Sequence, residues 1–224
     1  MDSENDKILA LIPAYNEAQR VGKVIAGALV HLPVLVVDDG SSDDTADQAK
    51  QAGATVLKQS PNQGKGAALQ AGFQWAIKHK FEAVITLDAD GQHDPAEIPK
   101  FLQACQSNQA DLIIGKRDFS QMPPARRLAN WLGGLTYSWA LGQSIPDNQS
   151  GYRLISRRLI EVLPASDEPG FEFEVEMITI CVRQGFILDW VPIQTIYAGE
   201  SSHINPVQHI KNFARILWET RQGT

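Results

Sequence analysis

Cysteine is scarce in this chain. Only Cys105 and Cys181 occur among 224 residues, far apart and at no zinc-like spacing. That excludes a disulfide-stapled fold or a cysteine-built metal centre and fits a reduced, cytoplasmic chain. Long apolar runs are also missing, so no stretch is expected to span a bilayer as a helix. Met1 to Lys7 is polar and lacks an apolar core, so no secretory signal is expected. Basic residues form no dense block and the formal net charge is −6, which argues against a nucleic-acid partner. Tandem repeats and low-complexity linkers are absent as well. What remains is a chain that is 43% hydrophobic, enough for one substantial core. A single domain over residues 1–224 is therefore expected.

The first half alternates short buried runs with helical patterns. Ile8 to Ile12, Val34 to Val37, Thr55 to Lys58, Ala83 to Leu87 and Leu112 to Gly115 read as strands. Between them Glu17 to His31, Asp44 to Gln51 and a segment from Gly66 to about Lys78 read as helices, and Pro95 opens another. Ser42 or Asp43 is expected to cap the second helix. This alternation predicts an α/β fold, a mostly parallel sheet with helices on both faces. Ligands in such sheets sit at the carboxyl ends of the strands. The second half is less regular: helices over Arg126 to Leu141 and Phe173 to Gln184, a polar turn over Asp147 to Arg153, a strand over Ile187 to Val191, and an amphipathic helix over Val207 to Arg221.

Polar clusters fall at the predicted strand ends. Asp88 and Asp90, two residues apart, can face one hard cation such as Mg²⁺ or Mn²⁺, which favours oxygen ligands and bridges carboxylates to phosphates. Gln92 offers another oxygen, and His93 adjoins it. A solvated acidic turn is the alternative. In Pro13-Ala14-Tyr15-Asn16-Glu17 the aromatic ring can stack on a nucleobase and the carboxylate can accept from base or ribose. The same residues also suit a strand-to-helix turn capped by Asn16. Asp39 could accept from a nucleobase or ribose, or could brace an Asp-Gly-Ser turn. Gly64-Lys65-Gly66 at a helix start could place N–H groups and a cation near phosphate, though it lacks the P-loop spacing. Arg117 and Arg153 adjoin predicted site turns and suit bidentate phosphate contacts. Arg126 and Arg127 read first as a solvated helix face. His203 could face a donor, although a lone histidine is more often structural.

Taken in order, Ile12 to Glu17, Val37 to Asp43, Asn62 to Gly66, Asp88 to Gln92 and Ser150-Gly151-Tyr152-Arg153 resemble glycosyltransferase family 2, most nearly its dolichol- or polyprenol-phosphate mannosyltransferase-like branch. The resemblance implies a GT-A fold, a Rossmann-like three-layer α/β/α sandwich, with a nucleotide-binding half at about 8–117 and an acceptor-side half at about 118–224. It implies an inverting transfer from a nucleotide-sugar donor, a GDP- or UDP-sugar, assisted by Mg²⁺ or Mn²⁺. Nucleotide contacts would come from Pro13, Ala14, Tyr15, Glu17, Val37, Asp39, Lys65, Asp88, Ala89 and Asp90. Asp90 and Gln92 would be metal ligands, with Asp88 contributing directly or through the nucleotide. Arg117 would face a donor or acceptor phosphate, and Arg153 is grouped with it.

The Gly199-Glu200-Ser201 stretch departs from that branch, since Ile196, Tyr197, Ser202 and His203 stand where basic residues are usual. Many hydroxyl-glycosylating relatives carry a Glu-Asp base pair after the metal site. Here Asp147 and Glu174 are the nearest carboxylates, which favours a phosphate acceptor needing no base. Asp147, Ser150 and His203 are the acceptor-side candidates. A lipid-phosphate acceptor would require a membrane surface, which Phe119 to Leu141 and the C-terminal helix could meet as interfacial segments. Core packing, a homodimer contact or a separate membrane partner are the alternatives. Rival readings are a glycosyltransferase acting on a hydroxyl, a sugar nucleotidyltransferase, and a non-catalytic nucleotide-binding subunit.

Overall fold

The computed structural model describes residues 7–118, 124–163 and 172–194; the side chains of 124–126, 128–132 and Glu172 lie outside that description. The C-terminal helix, the Gly199-Glu200-Ser201 stretch and His203 also fall outside it, as do Phe119 and Met122.

Among the described residues seven strands form one sheet: β1 (Ile8–Ala14), β2 (Val34–Asp39), β3 (Thr55–Gln59), β4 (Ala83–Thr86), β5 (Leu112–Arg117), β6 (Arg153–Ser156) and β7 (Leu188–Ile193), in the order β3-β2-β1-β4-β6-β5-β7. All neighbouring pairs are parallel except those made by β6, which runs antiparallel to both β4 and β5. Strands buried on both faces read as unbroken apolar runs, which is why Ile8 to Ile12 and Val34 to Val37 were legible. Their alternate residues divide between two cores. Ala10, Ile12, Val34 and Val36 pack with α1 (Val21–Leu29) and α4 (Ile98–Asn108) on one face. Leu9, Leu11, Leu35 and Val37 pack on the other with α3 (Lys65–Lys78), and that core continues into Tyr137 of α5 (Pro124–Leu141) and Phe173 and Ile178 of α7 (Glu172–Arg183). The result is three layers. Helix α3 lies close on β1 because Gly72 has no side chain; a Cβ there would overlap Leu11.

Several boundaries differ from the sequence reading. Helix α1 begins at Val21, not Glu17. Asn16 has φ 56°, and its side chain accepts from Ser42 N–H instead of capping its own helix. The Glu17 N–H is taken up by Thr45 Oγ1 at 2.7 Å. Helix α2 (Thr45–Gln51) follows an N-cap at Asp44 that makes no side-chain cap bond, while Asp43 Oδ1 accepts from Thr45 N–H at 3.0 Å. Pro95 opens a short 3₁₀ turn, Pro95–Glu97, ahead of α4. The polar turn ends before Arg153, which starts the unforeseen strand β6, and a one-turn helix α6 (Arg157–Ile160) follows.

Candidate active site

The parallel strands β1, β2 and β4 finish on one edge of the sheet, and the loops leaving them enclose a cleft of about 540 Å³. Pro13, Ala14, Tyr15 and Glu17 come from the end of β1, Asp39 from β2, Asn62, Gly64, Lys65 and Ala68 from the entry to α3, and Asp88, Ala89 and Asp90 from the end of β4. The sequence therefore marked most of one lining. Val37 is different: it is fully buried in the core beneath, not in the cleft wall. Ala68 lay outside the motifs, since an alanine one turn into a helix carries no chemical signal. Tyr15 is 50% exposed, with its ring available at the mouth of the cleft. The Glu17 carboxylate is bound by Arg20 at 2.6 Å.

Asp39 is buried, and its two oxygens accept from the N–H groups of Gln63 at 2.8 Å and Gly64 at 2.7 Å. The Gly64 N–H, which the Gly64-Lys65-Gly66 turn could have offered to phosphate, is held by the carboxylate instead, which pins the glycine turn to the end of β2 and so sets the start of α3. Lys65, the first residue of α3, lines the cleft. Its Nζ lies 2.6 Å from Asp88 Oδ1 and 3.3 Å from Glu174 Oε2. Burial alone would lower the Lys65 pKa, but the two carboxylates overcome it and hold the ammonium above its ordinary range. For Asp88, burial pushes upward, yet Lys65, His93 and Arg117 outweigh it and bring the carboxyl down to about 2. His93 is buried against Tyr152, with ring centroids 5.1 Å apart, and burial lowers its pKa. Its Nδ1 accepts the Asp88 N–H at 3.1 Å, fixing the backbone at the start of the Asp88-Ala89-Asp90 turn.

Among the described residues, no three His, Cys, Asp or Glu side chains gather into a metal cage. Asp90 lines the cleft, and its Oδ1 accepts the Gln92 N–H at 2.9 Å. The donors at hand are thus oxygens, with one carboxylate held by an ammonium. Such a set suits Mg²⁺ or Mn²⁺ that completes its shell with ligand phosphates and water, and fits poorly with a cation needing a full protein cage.

Arg117 ends β5 and grips Asp147 through Nε to Oδ2 at 2.7 Å and Nη2 to Oδ1 at 2.9 Å. Asp147 is buried and also accepts from Gln149 N–H at 3.1 Å, so it is an ion-pair anchor and not an open base. Arg153 is a second correction. It is 1% exposed, and its guanidinium donates to the carbonyls of Ser150 at 2.8 Å, Asn148 at 3.3 Å and Glu174, so it ties a loop together instead of facing phosphate. Ser150 is buried, with an Oγ that makes no hydrogen bond. Glu174 is buried beside Lys65 and likewise closed to a substrate. Arg127 is exposed on α5, and the Arg126 side chain lies outside the described residues.

The model of the family described as glycosyl transferase family 2 matches residues 10–163. The chain is 34% identical over 207 residues to the polyprenol monophosphomannose synthase of Mycolicibacterium smegmatis, covering 84% of this chain and 76% of that one. It is 30% identical over 242 residues to the UDP-N-acetylglucosamine–dolichyl-phosphate N-acetylglucosaminyltransferase of Methanococcus voltae, covering 95% and 96%. Among solved structures it resembles glucosyl-3-phosphoglycerate synthase from Mycobacterium tuberculosis, in complex with Mn²⁺, UDP and glucosyl-3-phosphoglycerate. That match has a TM-score of 0.71 at 20% identity, covers 95% of this chain and 77% of that one, and supports the GT-A fold.

Proposed function

The chain belongs to glycosyl transferase family 2, and on that premise we propose that it moves a sugar from a nucleotide-sugar donor to a polyprenyl phosphate with inversion at the anomeric carbon. The observation that carries the reading is the cleft itself. An exposed aromatic ring, the carboxylates of Glu17 and Asp39 and the Asp88-Ala89-Asp90 turn line one cavity at the carboxyl ends of parallel strands. Tyr15 would stack on the base, and Glu17 would accept from base or ribose. Asp90 and Gln92, with Asp88 beside them, would hold Mg²⁺ or Mn²⁺, which when bound supplies charge to stabilise the departing diphosphate.

The acceptor is argued from what the carboxylates are already doing. A hydroxyl acceptor needs a base, and the two candidate carboxylates that follow the Asp88-Ala89-Asp90 motif in the chain, Asp147 and Glu174, are both buried and ion-paired to Arg117 and Lys65. A phosphate oxygen is ionised beforehand and attacks without one. Arg117, 15% exposed by side chain, would orient either phosphate while Asp147 holds its fork in place. Both sequence relatives carry polyprenol or dolichyl phosphate in their names. Their sugars differ, so the donor base and sugar are tested and not assumed. Among the described residues no helix is long and apolar enough to cross a membrane. Contact with a lipid acceptor would then be peripheral, and α5 presents Leu135 and Trp139 with 52% and 66% exposure on one side.

Thermal shift with GDP- and UDP-sugars, with and without Mn²⁺, identifies the donor by mass action. Polyprenyl phosphate is then offered to the stabilising donor. Metal-dependent glycosyl transfer to the lipid is expected, and Asp90→Ala should lower it at least ~100-fold, the scale of a main electrostatic element. Near-normal turnover in that variant, or transfer only to hydroxyl acceptors, would reject the reading.

A further inference from the structure

Glu174 is a buried carboxylate outside the nucleotide cleft. Its side chain is 1% exposed, and Phe173 and Val175 on either side belong to the core. A carboxylate so placed needs a compensating charge. Lys65 provides it from another helix, and the same ammonium also touches Asp88. Gly151 completes the arrangement. A Cβ at that position would stand 2.8 Å from Lys65 Nζ, 3.0 Å from Asp88 Oδ2 and 3.1 Å from Glu174 Oε1. Three charged groups therefore converge on space that only glycine leaves open. One ammonium sits between two carboxylates, one sealed in the core and one, 29% exposed, at the cleft.

We propose that Glu174 is a positioning residue: by sharing the Lys65 ammonium with Asp88, it gives that ammonium a second anchor, so that Asp88 can be yielded to a divalent cation that the Asp88–Asp90 pair takes with a nucleotide diphosphate. The inference rests on the cleft being a donor–metal site. An ammonium and a divalent ion compete for the same carboxylate, and the strength of the second carboxylate's hold decides how far the ammonium yields. Glutamine at 174 preserves shape and removes the charge, so the Lys65 ammonium, already 2.6 Å from Asp88, loses its second carboxylate and yields Asp88 less readily. Partners one layer outside a metal site commonly shift affinity by ~10–100-fold, and the lower end is expected here because Lys65 already contacts Asp88.

The test is a double-mutant cycle read as Mn²⁺ affinity, by the electron paramagnetic resonance of free Mn²⁺, in the full chain with saturating GDP and, in a parallel arm, UDP. Glu174→Gln should weaken Mn²⁺ binding ~10-fold in the wild-type background and have no effect in a Lys65→Met background. Unchanged affinity in Glu174→Gln, or the same loss in both backgrounds, would overturn the proposal; the second result would mean that Glu174 acts directly by its own charge. Should Glu174→Gln fail to fold, Glu174→Asp serves instead: it keeps the charge but withdraws the carboxylate from Nζ, so it must weaken Mn²⁺ binding with Lys65 present and not with Lys65→Met. A wild-type chain that binds Mn²⁺ with neither nucleotide would bring down the donor–metal reading and this inference together. Wild-type binding with an additive cycle refutes the inference alone.

Discussion

Replacing Asp39 distinguishes a residue that holds the fold from one that only holds the ligand. Its carboxylate is 3% exposed, and both oxygens accept backbone N–H groups of the turn that leads into α3. Hydrogen bonds to a charged partner contribute about 1.5–3 kcal/mol each. Water at the cleft can reach the vacated N–H groups, so the lower value applies to each, and Asp39→Ala is expected to cost about 3 kcal/mol. In a chain of this length 1 kcal/mol moves Tm by about 2–4 °C, so a drop of about 6–12 °C follows with no nucleotide present. Asp39→Asn keeps one acceptor and turns an NH₂ toward the other N–H, and should lose about half as much. The assay is urea denaturation of the ligand-free chain followed by circular dichroism, with the midpoint compared at constant slope. If Asp39 serves the nucleotide alone, both variants unfold at the wild-type midpoint and differ only once nucleotide is added. A loss below about 0.5 kcal/mol for Asp39→Ala, the level of an ordinary surface change, would refute the argument.

Asp111 joins three strands: it accepts from Ser156 Oγ at 2.9 Å, from the Arg158 guanidinium at 2.8 Å and from Ile187 N–H at 3.1 Å. Asp111→Ala should destabilise the chain by about 2–3 kcal/mol in urea titrations at neutral pH. Burial raises the Asp111 pKa, but Arg158, Ile187 and Ser156 outweigh it and leave it below its ordinary value. Its stabilisation is therefore complete above the unfolded value, about 3.9, and is lost as pH falls through the folded one. The gap between wild type and Asp111→Asn should narrow on acidification, and a gap that widens would contradict the assignment. Arg117→Ala leaves Asp147 buried without its partner, so it should cost about 3 kcal/mol as well as phosphate handling. The double variant Arg117→Met, Asp147→Asn should regain most of that stability in thermal melts while transfer stays low; recovery of both would show that Arg117 serves only the fold.

The cleft lining was legible because two signals coincided in the chain. Continuous apolar runs marked parallel strands, and each run that mattered ended in a cluster of carboxylates or an aromatic. The loop entering β6 gave no such coincidence. Strand β6 has four residues and begins with arginine, so it matched no buried-strand pattern. Arg153, beside Gly151 and Tyr152, has the composition of a phosphate site, yet its fate was decided by the carbonyls of Asn148, Ser150 and Glu174. No periodicity records which carbonyls a fold will leave without partners. Asp39 shows an intermediate case. Its motif supported a turn brace and a ligand contact equally, and only the register of β2 against β3 and the path of the turn reveal that both oxygens are engaged. The Lys65–Glu174 contact was illegible for another reason: its members lie on helices brought together only by the packing of α3 and α7 on the same face.

The reversed strand also explains why the loop entering β6 reaches the cleft at all. Parallel strands deliver their carboxyl ends to the ligand edge and their amino ends to the opposite one. An antiparallel strand inserted among them does the reverse. Because β6 opposes β4, its first residue, Arg153, pairs with Thr86, the last residue of β4. The chain entering β6 must therefore arrive beside the Asp88-Ala89-Asp90 turn, and Thr86 Oγ1 fastens it there by donating to the Gly151 carbonyl at 2.7 Å. A parallel β6 would have brought Ser156 to that edge and carried Asp147, Ser150 and Gly151 to the far side of the sheet. Arg117 ends β5, which runs antiparallel to β6 and so in the direction of β4, and it meets Asp147 of the incoming loop at the same edge. One change of strand direction thus sets Arg117, its anchoring carboxylate and the glycine above Lys65 around the carboxyl ends of β1, β2 and β4.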